Sequence, residues 1–280
     1  MATPKNKAVA KVEVETVDVV SSEMPEWMKG EEKKGLEALD STDFILPIVK
    51  LMQATDVAVQ EGTAQAGSFY HMTSKVNIGK EVTFIPCHIR KRYMLFRPND
   101  GSGGTGSNVL ARSDDGIHWS PANAAFEVTL KSKKKVVWKT KSTIAESGLD
   151  KFGSSDPEDP QSNPAATLIY DIVAILPDHE DLSPAVISLK GSAVTRAKNL
   201  NTVLRSSKAP IWGHVFGAKG SLEKNGNNSY WAYNLDGKGY VNNPELFKLG
   251  KELHDTVSQS RFGVAEEEST EEAAPENSKY

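Results

Sequence analysis

The chain has 280 residues, 38% of them hydrophobic and 25% charged, with a net charge of −4. That allows one sizeable core or two small ones, but no run reaches the roughly 18–20 apolar residues of a membrane span and the N-terminus lacks the apolar stretch of a secretory signal. Cys87 is the sole cysteine, which excludes an intrachain disulfide and a cysteine-based zinc site and makes a cytoplasmic address the expectation.

Charge is spread unevenly. Residues 1–43 carry 6 Lys/Arg against 10 Asp/Glu, and residues 264–280 carry 1 against 6, which leaves 26 and 21 for residues 44–263. A basic body is therefore expected between two acidic, disordered arms. The N-terminal arm, 1–43, alternates small, charged and valine residues and holds one short apolar plug, Met24–Met28. The body is predicted to be a single β-rich domain from residue 44 to 263.

It opens with the apolar stretch Phe44–Gln53, where Pro47 argues against a regular helix. A turn is predicted at Asn77–Gly79. The β-branched and aromatic run Lys80–Ile89 then reads as a strand that Arg90–Arg97 continues. Asn99–Asn108 is glycine-rich and predicted to be a loop. Phe126–Thr140 reads as two strands joined by a turn at Lys131–Lys135, and Glu146–Pro164 as a polar loop. Ala166–Leu176, the most apolar run, is predicted to be a central strand, followed by another at Pro184–Lys190. Val194, Ala197, Leu200 and Leu204 recur at helical spacing and predict a helix over Val194–Ser206. A second helix is predicted over Pro244–Gln259, with Asn243 as cap and Leu246, Leu249, Leu253 and Val257 as its apolar stripe. Between these helices, Ile211–Phe216 and Ser229–Asn234 read as a hairpin around a glycine-rich loop, Gly217–Asn228. Many short strands with about two helices predict a mainly β, α+β body: an OB-like β-barrel with elaborating loops.

The chemistry concentrates in residues 84–141, where eleven Lys/Arg face four Asp/Glu and aromatics are interleaved. Cations neutralise phosphates and ring faces stack on unpaired bases, so the combination points to single-stranded nucleic acid. The expected phosphate contacts are Arg90, Lys91, Arg92, Arg97, Lys131, Lys133, Lys134, Lys135, Lys139 and Lys141. Tyr93, Phe96 and Trp138 are the stacking candidates, and Trp119, Trp212, Trp231 and Tyr233 lesser ones. Strand alternation puts Arg90, Arg92 and Met94 on one face and Lys91, Tyr93 and Leu95 on the other. A second basic stretch runs from Lys190 to Lys219 without an acid. The six histidines are scattered, without metal-ligand spacing. Gly101–Gly106 lacks the Gly-Lys-Ser/Thr ending of a phosphate loop. No catalytic site, metal or cofactor is expected.

Several segments resemble a family of bacteriophage early proteins: LPIVKLMQ at 46–53, the Gly67 turn, KEVTFIP and RKRYMLF at 80–86 and 90–96, RSDDG at 112–116, SLKGS at 188–192 and AKNLN at 197–201. Those proteins are generally taken to bind single-stranded DNA, and the resemblance spans roughly residues 44–216. Relatives often carry cysteines around the Asp-Gly turn. Ala111 stands in that neighbourhood here, so a zinc-knuckle variant is not expected. Acidic tails ending in an aromatic also occur in phage and bacterial single-stranded DNA-binding proteins, where they recruit replication partners. The resemblance thus implies a partner-binding tail of Glu266, Glu267, Glu268, Glu271, Glu272 and Tyr280. The combined expectation is a non-enzymatic phage single-stranded DNA-binding protein acting in replication or recombination in the host cytoplasm, with no membrane partner and with homo-oligomers allowed. The alternatives are a phage structural or scaffold-associated protein and a strand-annealing recombination mediator.

Overall fold

The computed structural model describes residues 45–98, 108–226, 228–259 and 263–264. The expected N-terminal arm with its plug, residues 99–107 of the predicted loop and the tail from residue 265 lie outside them. In chain order the elements are β1 (Ile45–Leu46), β2 (Ile48–Leu51), α1 (Val57–Gln60), β3 (Phe69–His71), β4 (Val76–Gly79), β5 (Glu81–Phe96), β6 (Val109–Ser113), β7 (Ala125–Thr129) and β8 (Lys135–Lys139). They continue with α2 (Ile144–Ser147), β9 (Ala166–Ile175), β10 (Ala185–Lys190), α3 (Ala193–Ser206), β11 (His214–Asn225), β12 (Asn228–Tyr240), α4 (Pro244–Gln259) and β13 (Gly263–Val264). Strands dominate, as the alternating and β-branched runs predict.

One curled sheet organises the body. Its strand order is β12-β11-β5-β9-β10-β2-β3-β4, with β6 paired to the far half of β5. The sheet forms a half-barrel, in keeping with the OB-like α+β class expected. Its concave face is filled by Val49, Leu51, Phe69, Phe84, Ile172, Ile187 and Leu189, against which α3 lays Ala193, Ala197, Leu200 and Leu204. The buried helix face thus starts at Ala193 rather than at the expected Val194, which is half-buried. On the convex face α4 covers Ile85, Cys87 and Ile175 with Leu246 and Leu253, while Val257 packs on Val173 and Val186. Asn243 caps this helix as predicted, accepting from the N–H groups of Glu245 at 2.9 Å and Leu246 at 3.4 Å. Its buried stripe runs through Gly250; Leu249 is exposed instead. A second core lies at the far end of β5, where the β7–β8 hairpin and the loop after α2 pack over Tyr93 and Leu95.

The free flank of the half-barrel is tied by side chains. The Gln53 amide donates to the Trp231 carbonyl and accepts from the Trp231 N–H, each at 2.8 Å, so it stands in for a strand neighbour of β12. The Tyr233 hydroxyl accepts from the Leu51 N–H at 3.1 Å. Glycines make this approach possible. A Cβ on Gly67, which has φ +80°, would lie 2.5 Å from the Trp231 indole, and one on Gly220 would lie 2.5 Å from the Gly67 carbonyl oxygen. This explains the largest departure from the sequence expectation. Residues 217–225 are strand β11, not a loop, because Gly220 serves a close backbone approach and not a turn. Asn77–Gly79 likewise belongs to edge strand β4.

Cys87 is fully buried, and that burial pushes its thiol pKa up to about 12. Because the thiolate is the reactive species, Ellman's reagent at pH 8 is expected to leave the native protein unlabelled and to titrate one thiol in denaturant. Rapid native labelling would mean that α4 lifts off the sheet.

Candidate nucleic-acid interface

The basic residues of β5 divide by strand parity as expected, but the two faces meet different surroundings. Arg90 and Arg92 turn to the convex face, where Arg90 lies directly opposite Asp171 of β9. Asp171 is 0% exposed. It accepts from Arg92 Nε at 2.6 Å, Arg90 Nη2 at 3.1 Å and Ser188 Oγ at 2.6 Å. Ser188 in turn faces Asp171 from β10, so three adjacent strands meet in one buried polar cluster. Arg92 is buried and committed to this cluster, which corrects its assignment as a phosphate contact. Arg90 is half-buried and held by the same carboxylate. Charge-assisted hydrogen bonds of this kind stitch strands together and leave little of either guanidinium for a ligand.

On the other face, Tyr93 is 6% exposed and belongs to the second core, as does Trp138 at 4%. Trp138 Nε1 donates to the Ser155 carbonyl at 3.1 Å. Neither ring presents a face, so the stacking role expected of both is corrected: they hold the hairpin on the sheet. Phe96 is half-buried at the end of β5. Of the lesser candidates, Trp119 is core and donates to Ser147 Oγ at 3.0 Å; Trp231 and Tyr233 pack against the first core, and Trp212 lies 4.7 Å from the His254 ring. Lys91 is exposed, with Nζ 4.9 Å from the Tyr93 ring centroid. Tyr93 raises its pKa above the ordinary lysine value against the opposing effect of burial.

The β7–β8 hairpin is where exposed cations gather. Alternation along β8 sends Val136 and Trp138 inward and Lys135, Val137 and Lys139 outward. Lys131 and Lys133 occupy the predicted turn, Lys133 with φ +64°, and Lys141 follows β8; all five of these lysines are exposed. Glu127, opposite Val137, pairs with Lys135 at 3.2 Å. Both partners are exposed, so the pair is weak and easily exchanged. Lys134 differs. It bridges Asp156 and Glu158, whose hydrogen bonds raise its pKa, and so pins the loop after α2 to the hairpin. That loop carries Phe152, 65% exposed and three residues before the Ser155 that Trp138 holds. Sequence reasoning missed Phe152 because it is a lone phenylalanine in a segment that reads only as a polar loop. Arg97 is exposed beyond the end of β5.

Between hairpin and sheet sits the Asp114–Gly116 turn. Asp115 accepts from the N–H groups of Ile117 and His118, each at 2.8 Å, and from Ser113 Oγ at 3.1 Å. Partial burial would raise its pKa, but these bonds and the His118 ring, 2.7 Å away, hold it well below the usual carboxylate range. The turn is thus built for rigidity. The tail residues Glu266, Glu267, Glu268, Glu271, Glu272 and Tyr280 lie outside the described residues. Among the described residues no helix is long and apolar enough to cross a membrane, and no group of three or more His, Cys, Asp or Glu is arranged to hold a metal ion.

No curated protein and no solved structure matches the chain significantly. The model of a family described as Pam3 phage gp34-like protein matches residues 14–262, which takes in the half-barrel, both cores and the lysine hairpin. The chain is therefore a phage protein and belongs to the Pam3 phage gp34-like family.

Proposed function

We propose that this protein binds single-stranded DNA during phage replication or recombination, with the β7–β8 hairpin as its phosphate-tracking element. The observation that carries the reading is the cluster of exposed lysines 131, 133, 135, 139 and 141 on one hairpin, with Glu127 paired to Lys135. A row of solvated ammonium groups attracts a polyanion and gains from counterion release when phosphates replace small ions. Phe152, exposed on the loop that Lys134 pins, supplies a ring on which an unpaired base can stack, which favours a single strand over a duplex. The acidic 264–280 segment is proposed to compete with DNA for this surface and to engage replication or recombination proteins.

The test is a fluorescence-anisotropy titration of labelled oligo-dT and of a duplex of equal length at two salt concentrations. The expected result is salt-sensitive binding with preference for the single strand. Binding that ignores salt, or equal affinity for the duplex, would contradict the reading.

A further inference from the structure

The mouth of the β11–β12 hairpin holds an open cleft of about 370 Å³ against the C-terminal end of α3. His214 and Tyr240 face each other across the two strands, and the register shifts between Val215 and Phe216, so that Lys238 is an extra residue on β12. Such a bulge re-aims the side chains around it. Here it is flanked by Gly237 and Gly239, which contribute no side chains, so the surface beside Tyr240 is left bare. The wall is aromatic. The His214 ring centroid lies 5.0 Å from Tyr240 and 6.2 Å from Phe216, and Phe216 is itself stacked on Phe84 in the core.

Two features mark this wall. His214 is 6% exposed, yet its Nε2 finds no hydrogen-bond partner among the described residues. Tyr240, by contrast, is 66% exposed, an unusual state for a ring at a sheet end. No charged side chain lines the cleft, while Arg205 and Lys208 stand exposed beside its lining residues Ser206 and Ser207. Asp236, on the same strand, is paired with Lys238 at 3.2 Å. Apolar and aromatic walls, with exposed cations on the residues adjoining the lining, match a planar heteroaromatic ring joined to a phosphate. The volume falls at the lower end of the range of small-ligand sites, roughly 300–1,000 Å³.

We propose that this cleft is a nucleobase pocket: one base of a bound single strand stacks on Tyr240 against the His214 wall, with its phosphates drawn to Arg205 and Lys208. The inference rests on the DNA-binding reading and adds to it a second contact region, on the opposite flank of β5 from β9. It also assigns the aromatic contact to rings other than those the sequence singles out. Gly237 gives a clean way to block the site. A Cβ there meets Phe216 only at an ordinary 3.9 Å and its φ lies outside the left-handed region, so Gly237→Phe fills the cleft without backbone strain.

The test uses the full chain with oligo-dT carrying 5-iododeoxyuridine, photocrosslinked and mapped by mass spectrometry, beside anisotropy titrations of Tyr240→Ala, Gly237→Phe and His214→Gln. The expected crosslink is to Tyr240. Both Tyr240→Ala and Gly237→Phe should weaken oligo-dT binding roughly 5- to 150-fold, the range of one lost base stack, and leave the salt slope unchanged. An abasic oligonucleotide of equal length should bind all variants alike. His214→Gln should lose less than Tyr240→Ala. Circular dichroism confirms that each variant is folded. Wild-type affinity in both folded Tyr240→Ala and Gly237→Phe, with crosslinks elsewhere, would overturn the pocket and leave DNA binding standing. A wild-type protein that binds no oligonucleotide would overturn both.

Discussion

Replacing Asp171 with alanine is expected to cost about 3–5 kcal/mol of folding stability, the usual penalty for removing one partner of a buried ion pair. The carboxylate is fully buried and ties Arg92, Arg90 and Ser188 across three strands. Without it, the buried Arg92 guanidinium keeps its charge in the sheet and loses its anion. Against a total stability of about 5–15 kcal/mol for a typical domain, this change alone brings the body near its unfolding threshold. Urea denaturation of wild type and variant measures it directly. A second variant separates charge from packing: Asp171→Ala combined with Arg90→Met and Arg92→Met should recover much of the loss, because apolar residues of similar volume remove the unpaired charge. A loss under 1 kcal/mol for Asp171→Ala would mean that solvent reaches this cluster.

Substituting alanine at Gly67 is expected to cost about 2–5 kcal/mol, from left-handed backbone strain plus overpacking. The added Cβ would sit 2.5 Å from the Trp231 indole, and Trp231 cannot move away easily because Gln53 holds both of its backbone polar groups. Gly62 supplies the control. Its φ of +77° nearly equals the +80° of Gly67, but nothing lies within 4 Å of a Cβ there. Gly62→Ala should therefore show only the backbone component, about 1–2 kcal/mol. Equal losses at the two positions would show that the seam between residues 51–67 and β12 yields freely. A larger loss at Gly67, with a shifted tryptophan emission, identifies the seam as the lock of the half-barrel.

Much of this fold was readable from residue patterns, for definite reasons. β9, α3, α4 and the β7–β8 hairpin each carry a strong local signal: a β-branched apolar run, a three-to-four spacing, an Asn-Pro helix start or a lysine turn between alternating strands. Failures came where a residue type has two uses. Glycines in 217–220 signal a loop by composition, yet here Gly220 lets β11 touch the turn at Gly67. Leu249 was expected in the α4 stripe, but the close approach of the helix to Trp212 and Cys87 puts Gly250 on the buried face. The same ambiguity governed the site. Alternation correctly separated Arg90 and Arg92 from Lys91 and Tyr93, but parity cannot say which face meets solvent. Asp171, an acid inside the apolar run ATLIYDIVAIL, was the overlooked clue that a buried cation must face it. Tyr93 and Trp138, chosen for their closeness to bases in sequence, became core, whereas Phe152 and Tyr240, in poorly patterned surroundings, ended up exposed.

The structure also divides the lysine run into parts with separable roles. Lys134 anchors the 148–165 loop, and Lys135 is partly screened by Glu127. Changing them perturbs structure and binding together. Lys131, Lys139 and Lys141, with Lys133 replaced by the turn-compatible Asn, are the positions whose removal best samples the electrostatic contribution. The central claim is tested most directly by the slope of log affinity for oligo-dT against log salt, measured for wild type and for a variant with Lys131→Gln, Lys133→Asn, Lys139→Gln and Lys141→Gln. Each phosphate neutralised on a single strand contributes roughly −0.7 to that slope, so the variant should be flatter by roughly 3 and weaker at low salt. A folded variant that keeps the wild-type slope and affinity would contradict the assignment of the hairpin as the DNA-binding element.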